Sequence, residues 1–591
     1  MIWLTTMLYN MEMFHQAISS HSHTTFGSCL ENNQTIFVKK KKKKMSSQKS
    51  RPIANYHLCH WGDHFLNITN PHHDEEVQVQ KEQEVKQYIE EVKKELQETK
   101  NNPIELLNFF DAIERLGLAY HFEQEIEDAL KQIYESYEGQ CAKDDLYHVS
   151  TRFRILRQHG FFVPCDVFNK FKEENGSFKE SITKDVLGLL SLYEASHVRV
   201  HDDKILDEAL AFSTTRLNAM VSQLSSPLAD QVAHALHQPL HKGMPRVESR
   251  HYITVYEMDP SHNKTLLKFA KLDFNLLQAL HQKELKDLKK WWKGLHLNAS
   301  YTRDRLTEAY FWILGAYYEP KYSLARKVFG KIFKATSLLD DTYDAYGTIE
   351  ELELLTETFQ RPWNKSYVDE LPEHVKWSYH ANVEACEEAE EDLAKEGRSF
   401  CVNYTREQVK ALCLAFLQEA KWCHEKYVPT YDEYMKIALV TSPYPHGIIA
   451  SFLGMGEIAT KEVFEWASQI PIPKAVKAAS TILRLVDDIG GHKFEQKRNH
   501  VASAVQCLME KHGMSEDEAN EKLREEVEDA WKDINEAMLQ PHVISKPLLT
   551  RILNLARSAE VIYKDGTDGY TEVNQTLKEK TASVLVHPIT M

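Results

Sequence analysis

From about residue 82 to residue 580, apolar side chains recur every three or four positions, and no stretch alternates long enough to make a strand. That period restricts the chain to helices, each burying one stripe of its surface. The charged segment 82–99 shows the pattern, with Val85, Tyr88, Ile89, Val92 and Leu96 on one face. Further helical patterns cover 103–116, 122–138, 145–159, 164–171, 183–197, 205–224 and 227–235, separated in places by Gly160 and Asn175-Gly176. Tyr252–Asp259 reads as irregular and Pro260 as a boundary, after which a second helical block runs from about His262 to Lys580. The expected fold is all-α, in two helical domains.

At 591 residues the chain is long enough for more than one core. A formal net charge of −16 argues against a nucleic-acid surface. Nine cysteines, with no Cys-x-x-Cys pair, fit reduced thiols in the cytosol better than a disulfide framework. No apolar run is long enough to cross a bilayer, so no membrane insertion is expected. Residues 1–44 stand apart: they lack arginine and end in six lysines, Lys39 to Lys44, directly before Met45. We read 1–44 as a disordered or spurious extension, with translation starting at Met45; a native N-terminal peptide upstream of Met45 would refute this.

The chemistry concentrates in two acidic clusters. An apolar run (Val328, Phe329, Ile332, Phe333, Leu338, Leu339) ends in Asp340, Asp341 and Asp344. Asp340 and Asp344 are four apart and share a helix face, with Asp341 beside them. Such a crowd is either solvated or neutralised by a cation, and a hard, oxygen-seeking ion such as Mg²⁺ suits it. The second cluster places Asp487, Gly491 and Glu495 on one stripe, with a glycine where a third ligand would sit, so water would have to supply that oxygen. Arg484 lies on the same face, and Arg303 and Arg305 precede an aromatic helix; arginine forks match phosphate oxygens. Two acid platforms and three arginines together describe a holder for a metal-bound diphosphate.

Trp312, Tyr343, Tyr444, Tyr563 and Tyr570 are candidate walls, since aromatic faces stabilise cations. Ser442-Pro443-Tyr444-Pro445 breaks a helical region, and Tyr563–Thr571, with Gly566, Asp568 and Gly569, reads as a lid. His234, His237 and His241 have metal-like spacing but no obvious acid or cysteine partner and read as structural; Asp202-Asp203 reads as a solvated helix start.

Arg303-x-Arg305, Asp340-Asp-x-x-Asp344 and Asp487-Asp-x-x-Gly491-x-x-x-Glu495, in this order, resemble the class I terpene synthases of plants, and among them the cytosolic sesquiterpene synthases. Arg51-Pro52 followed by Trp61 is similar to the family's N-terminal motif. The resemblance implies an N-terminal α-barrel domain (45–260), catalytically silent without an Asp-x-Asp-Asp acid, and a C-terminal class I bundle (261–591). It implies Asp340, Asp341, Asp344, Asp487, position 491 and Glu495 as holders of three Mg²⁺, with Mn²⁺ able to substitute. Arg303, Arg305 and Arg484, with Asp340, Asp344 and Asp487 through their metals, would bind diphosphate; Trp312, Tyr563, Asp568 and Tyr570 match pocket and lid positions. The implied activity is a cytoplasmic, monomeric carbon–oxygen lyase that cyclises farnesyl diphosphate to a sesquiterpene olefin. A monoterpene synthase using geranyl diphosphate and a non-catalytic helical scaffold are the alternatives; a chain-elongating prenyltransferase would show a second Asp-Asp-x-x-Asp.

Overall fold

The computed structural model describes residues 54, 56, 57, 59–68, 75–136, 145–497 and 500–591. The lysine run, Met45 and Arg51-Pro52 therefore lie outside the described residues. Among those described there is no strand, only an isolated bridge between Lys172 and Phe178. The all-α expectation holds.

Between Glu75 and Met258 the chain folds into helices whose starts follow the sequence signals. Asn102 caps Pro103–Arg115 by accepting from the Glu105 N–H, and Asp145 and Asp185 cap Leu146–Gln158 and Val186–Ser196 in the same way. One expectation is corrected: Tyr252–Asp259 is not irregular but the end of a helix, Pro245–Met258. Its inner face is polar as well as apolar, burying Arg246, Glu248 and Ser249 beside Val247, Ile253 and Val255, which is why no apolar stripe announced it.

The long helix Lys264–Gly294 opens the second block. An aromatic helix, Leu306–Ala316, is buried along its whole length and packs on Lys546–Ile562 and on Ser323–Ala345. Ser323–Ala345, the first acid helix, buries Val328, Phe329, Ile332, Ala335, Leu338 and Leu339. Its end is fixed: the Gly347 N–H returns to the Thr342 carbonyl at 2.8 Å, and a Thr348/Glu351 capping box starts the next helix at once. The second acid helix, Lys474–Glu495, buries Ala475, Val476, Ala479, Ile482 and Leu483 against Glu516–Ala537 and Lys546–Ile562. Pro52–Met591 forms one unit, with a continuous apolar core reaching from Phe65 to Ile589. No described helix is long and apolar enough to cross a membrane.

Candidate active site

The two acid helices end at one cavity mouth. Asp340, Asp344, Asp487, Asp488, Glu495, Arg303 and Arg484 line a common polar hollow. His500, in the loop after the second acid helix, spans it, with Nε2 3.0 Å from Asp344 and Nδ1 3.5 Å from Glu495. Directly beneath, Arg303, Asp340, Arg484 and Asp487 also border an apolar cavity walled by Trp312, Phe329, Phe333, Tyr444, Tyr563 and Tyr570. The site is thus a charged mouth over an aromatic floor.

Arg303 is the hub of the first wall. Its guanidinium pairs with Asp340, donates from Nε to Asp341 at 2.6 Å and from Nη1 to the Thr571 hydroxyl at 3.1 Å, and lies over the Tyr570 and Tyr56 rings. Asp341 is fully buried, and its other oxygen accepts the Arg303 backbone N–H at 2.8 Å. The metal role expected for Asp341 is not carried by this geometry; both of its oxygens orient Arg303. Arg305, 1% exposed, does not line the cavity either. It donates to the carbonyls of Tyr570 and Thr571, each at 3.0 Å, and so anchors the lid segment where direct diphosphate contact was expected.

On the second wall Arg484 pairs with Asp487 and, at 2.7 Å, with Asp488, while its Nε has no hydrogen-bond partner. Asp488 is buried and also accepts from the Tyr434 hydroxyl at 2.7 Å and the Ala504 N–H at 2.8 Å, so it ties the helix to its neighbours. Gly491 is buried, and a Cβ there would lie 3.2 Å from Glu495 Oε1; the carboxylate of Glu495 already borders the space a larger ligand would need.

Burial and mutual repulsion strain the acids. Burial, with Asp341 and Asp344 adding to it and Arg303 opposing, pushes Asp340 up to about 6. Burial, then Asp568, Glu495 and Asp488, raises Asp487 well above the carboxylate range against Arg484. Burial raises Glu495 too, aided by Asp488 and Asp344, although His500 opposes. Among the described residues no three or more His, Cys, Asp or Glu are already gathered as a metal site, and Arg303, Arg484 and His500 pair with the acids. The donor set itself, carboxylate oxygens that repel one another across a narrow gap, fits hard divalent cations.

The segment Tyr563–Thr571 borders both hollows of the site. Asp568 borders the polar hollow and accepts the Tyr570 and Thr571 N–H groups at 3.0 and 2.9 Å. Tyr570 meets Ser337 through their hydroxyls at 3.1 Å, and Trp312 stands edge-on to both Tyr563 and Tyr570. The segment rests on the second acid helix at Gly490, where a Cβ would meet the Thr567 carbonyl carbon at 3.0 Å. Tyr444 closes the floor, accepting the Trp312 indole N–H at 3.0 Å, whereas Tyr343 borders the polar hollow instead and its hydroxyl meets that of Thr356 at 2.7 Å.

Sequence reasoning missed three neighbours. Glu419, pushed up to about 7 by burial, borders the polar hollow and accepts from Thr441 at 2.7 Å. His500 bridges the walls. Tyr56, in the N-terminal segment that Trp61 and Asp63 pin to Glu308 and Lys293, reaches within 3.5 Å of Asp344. None belongs to a spaced motif, so no local signal marked them. The three histidines with metal-like spacing each have a separate partner: His234 meets Glu248 at 2.7 Å, His237 meets Asp565 at 3.2 Å and His241 meets Asn535 at 2.7 Å.

Residues 60–236 match the family model described as the terpene synthase N-terminal domain, and 293–533 the one described as the terpene synthase family metal-binding domain. The chain is 50% identical over 546 residues to a probable sesquiterpene synthase of Santalum murrayanum, covering 91% of this chain and 96% of that one. It is 49% identical over 549 residues to the (−)-germacrene D synthase of Vitis vinifera, covering 93% and 97%. Its structure resembles isoprene synthase from grey poplar leaves in complex with three Mg²⁺ ions and dimethylallyl-S-thiolodiphosphate, with a TM-score of 0.79 at 32% identity, covering 86% of this chain and 97% of that one. Half-identity sustained along nearly the full length of these proteins, with both domain models met in order, makes this chain a member of the terpene synthase family.

Proposed function

We propose that this protein is a sesquiterpene synthase, a carbon–oxygen lyase that ionises farnesyl diphosphate and closes the C15 cation to a sesquiterpene olefin with release of diphosphate. One observation carries the reading: two carboxylate walls with their arginines meet at the mouth of an aromatic cavity. The named sesquiterpene synthases among the relatives support the choice of substrate length.

Asp340 and Asp344 on one wall and Asp487 and Glu495 on the other would hold the divalent ions, three by analogy with the poplar enzyme, with water replacing the oxygen Gly491 lacks. Bound Mg²⁺ supplies the neutralising charge that a departing diphosphate requires. Arg303 and Arg484 stand at the same mouth to bind phosphate oxygens. The lid, held by Arg305 and by the Asp568 turn, excludes water from the hydrocarbon. Trp312, Phe329, Phe333, Tyr444, Tyr563 and Tyr570 fold the chain and offer π faces to the migrating positive charge. The division into a silent domain, 45–260, and a catalytic domain, 261–591, belongs to the same reading and is supported by the limits of the two family models.

The test is incubation of purified protein and Mg²⁺ with farnesyl or geranyl diphosphate, following diphosphate release and extracted volatiles. The expected result is a C15 olefin, with kcat/KM for farnesyl diphosphate at least about tenfold above that for geranyl diphosphate, the scale set by a few added methylenes in an apolar pocket. Preference for geranyl diphosphate selects a monoterpene synthase, and no release selects a scaffold.

A further inference from the structure

A further cavity, of about 280 Å³, lies between the N-terminal helices Pro103–Arg115 and Leu146–Gln158 and the C-terminal helix Lys546–Ile562. Although the chain carries a net charge of −16, six lysines and arginines line this space against three carboxylates. Four of the six are met by acids: Arg154 and Arg115 by Asp111, Arg157 by Asp203 and Arg551 by Glu319. The other two, Lys546 and Arg557, form no ion pair with a carboxylate among the described residues. They stand on one face of their helix, with Thr550 and Asn554 between them, and both border the cavity. Lys546 Nζ lies 3.0 Å from His159 Nδ1, and His159 Nε2 pairs with Glu114. An ammonium only donates, so Nδ1 accepts, the imidazole is neutral and its Nε2–H serves Glu114. The Glu114 charge is thereby kept one ring away from the ammonium. Arg557 donates from Nε to the His241 carbonyl at 2.7 Å and from Nη1 to Asn554 Oδ1 at 2.9 Å. Its Nη2 has no partner among the described residues and is not closed off from solvent.

We propose that this cavity is a second anion site, which binds an oxyanion of the phosphate class, inorganic phosphate or diphosphate, through Lys546 and Arg557. The site needs no metal and stands apart from the cyclase reading. The acid mouth presents carboxylates and takes phosphate oxygens through cations, whereas this cavity presents the cations directly. Both side chains are half-buried, so part of each stays open to an ion from solution. Burial lowers both, Arg557 to about 10, against the weaker pull of Glu248 and Glu114 on Arg557 and of Glu114, Glu127 and Glu123 on Lys546. Both remain charged at neutral pH. A cation withdrawn from water without a counter-charge is stabilised by an anion that enters beside it. Guanidinium and ammonium donors make charge-assisted hydrogen bonds to phosphate oxygens. An ion held there ties the N-terminal helices to Lys546–Ile562, so binding raises the thermal midpoint.

The test is titration calorimetry of the full chain with inorganic phosphate and, separately, inorganic diphosphate. EDTA keeps divalent metals out, and sodium chloride at matched ionic strength is the control. The expected result is uptake of at least one of the two ions, with a rise in thermal midpoint that chloride does not reproduce. Lys546→Gln and Arg557→Gln should each weaken that binding about tenfold or more, the scale of one lost charge-assisted hydrogen bond. Arg484→Gln, at the acid mouth, should leave it unchanged. If neither ion binds beyond the chloride control, the proposal is overturned. Uptake that Arg484→Gln abolishes and the two cavity variants leave intact places the ion at the mouth and overturns it as well. Merely structural roles would lower the variants' stability without changing their affinity for the ion, and that result also overturns it. If Arg557→Gln does not fold, Lys546→Gln decides alone, since the ammonium bonds only the His159 ring. The cyclase reading is judged separately, by turnover with Mg²⁺, and either can fail without the other.

Discussion

At the scale of single residues, the acids in the first cluster do different work. Asp340 faces the cavity, whereas Asp341, about a quarter-turn away on the helix, is buried with both oxygens on Arg303. Removing that charge leaves the arginine free to drift by an ångström or more. Asp341→Asn should therefore lower kcat/KM on the order of 100-fold, the scale of a misplaced binding group, while circular dichroism still reports a folded helical protein. Equal kcat/KM in variant and wild type would show that Arg303 needs no such brace. Helical spacing made the shared face of Asp340 and Asp344 legible. The fate of Asp341 was not, because its partner arrives from a different element 38 residues away. The position of Arg305 was hidden for the same reason: its donors go to the carbonyls of Tyr570 and Thr571, more than 260 residues on.

At the scale of elements, the segment proposed as the lid lies close to the second acid helix. Gly490 makes that approach possible. A side chain there would meet the Thr567 carbonyl carbon and oxygen at 3.0 and 3.1 Å and the Asp568 nitrogen at 3.2 Å, all backbone atoms that cannot rotate aside. Within the lid, Gly569 sits so close to the Ile562 carbonyl that a Cβ would fall 2.4 Å from its oxygen. Gly490→Val should hold the segment off the cavity and admit water. The expected outcome is a rise of roughly tenfold in water-quenched alcohol relative to olefin, read by gas chromatography of the products, since excluding water is what suppresses that side reaction. An unchanged alcohol fraction would place the water barrier elsewhere. The irregular segment proposed as the lid was legible from its glycines and acids, and the two acid helices from their apolar stripes. Pro245–Met258 was not, because it buries Arg246 over the Phe274 ring, where Nη2 donates to the Phe274 carbonyl at 2.7 Å, in place of an apolar stripe.

At the scale of the whole molecule, the N-terminal helices carry none of the acids of the site yet are tied to the helices that build it. Asn535 donates to the carbonyls of His197 and Arg199 at 2.9 and 2.8 Å, and Glu528 accepts from Arg199 at 3.0 Å and pairs with Lys242. These partners lie 286 to 338 residues apart in sequence, so no periodicity announced them; only the fold does. Burial alone would push Glu528 up, but Lys242 and Arg199 outweigh it and bring it down to about 2. The sign of the linkage follows. Between that value and 4.5, the ordinary glutamate value, the unfolded chain binds the proton that the folded one refuses, so the pair's stabilisation is complete above 4.5 and is lost as the pH falls toward 2. Because the side chain is 40% exposed, water screens part of the effect. Glu528→Gln should then lower the thermal midpoint by about 2 °C at pH 7, and the gap to the wild type should narrow as the pH drops below 4.5. The product spectrum should be untouched, since Glu528 borders neither the polar mouth nor the aromatic floor. A gap that persists unchanged at pH 3.5, or a shifted product spectrum, would show that this clamp does something other than hold the two sets of helices together.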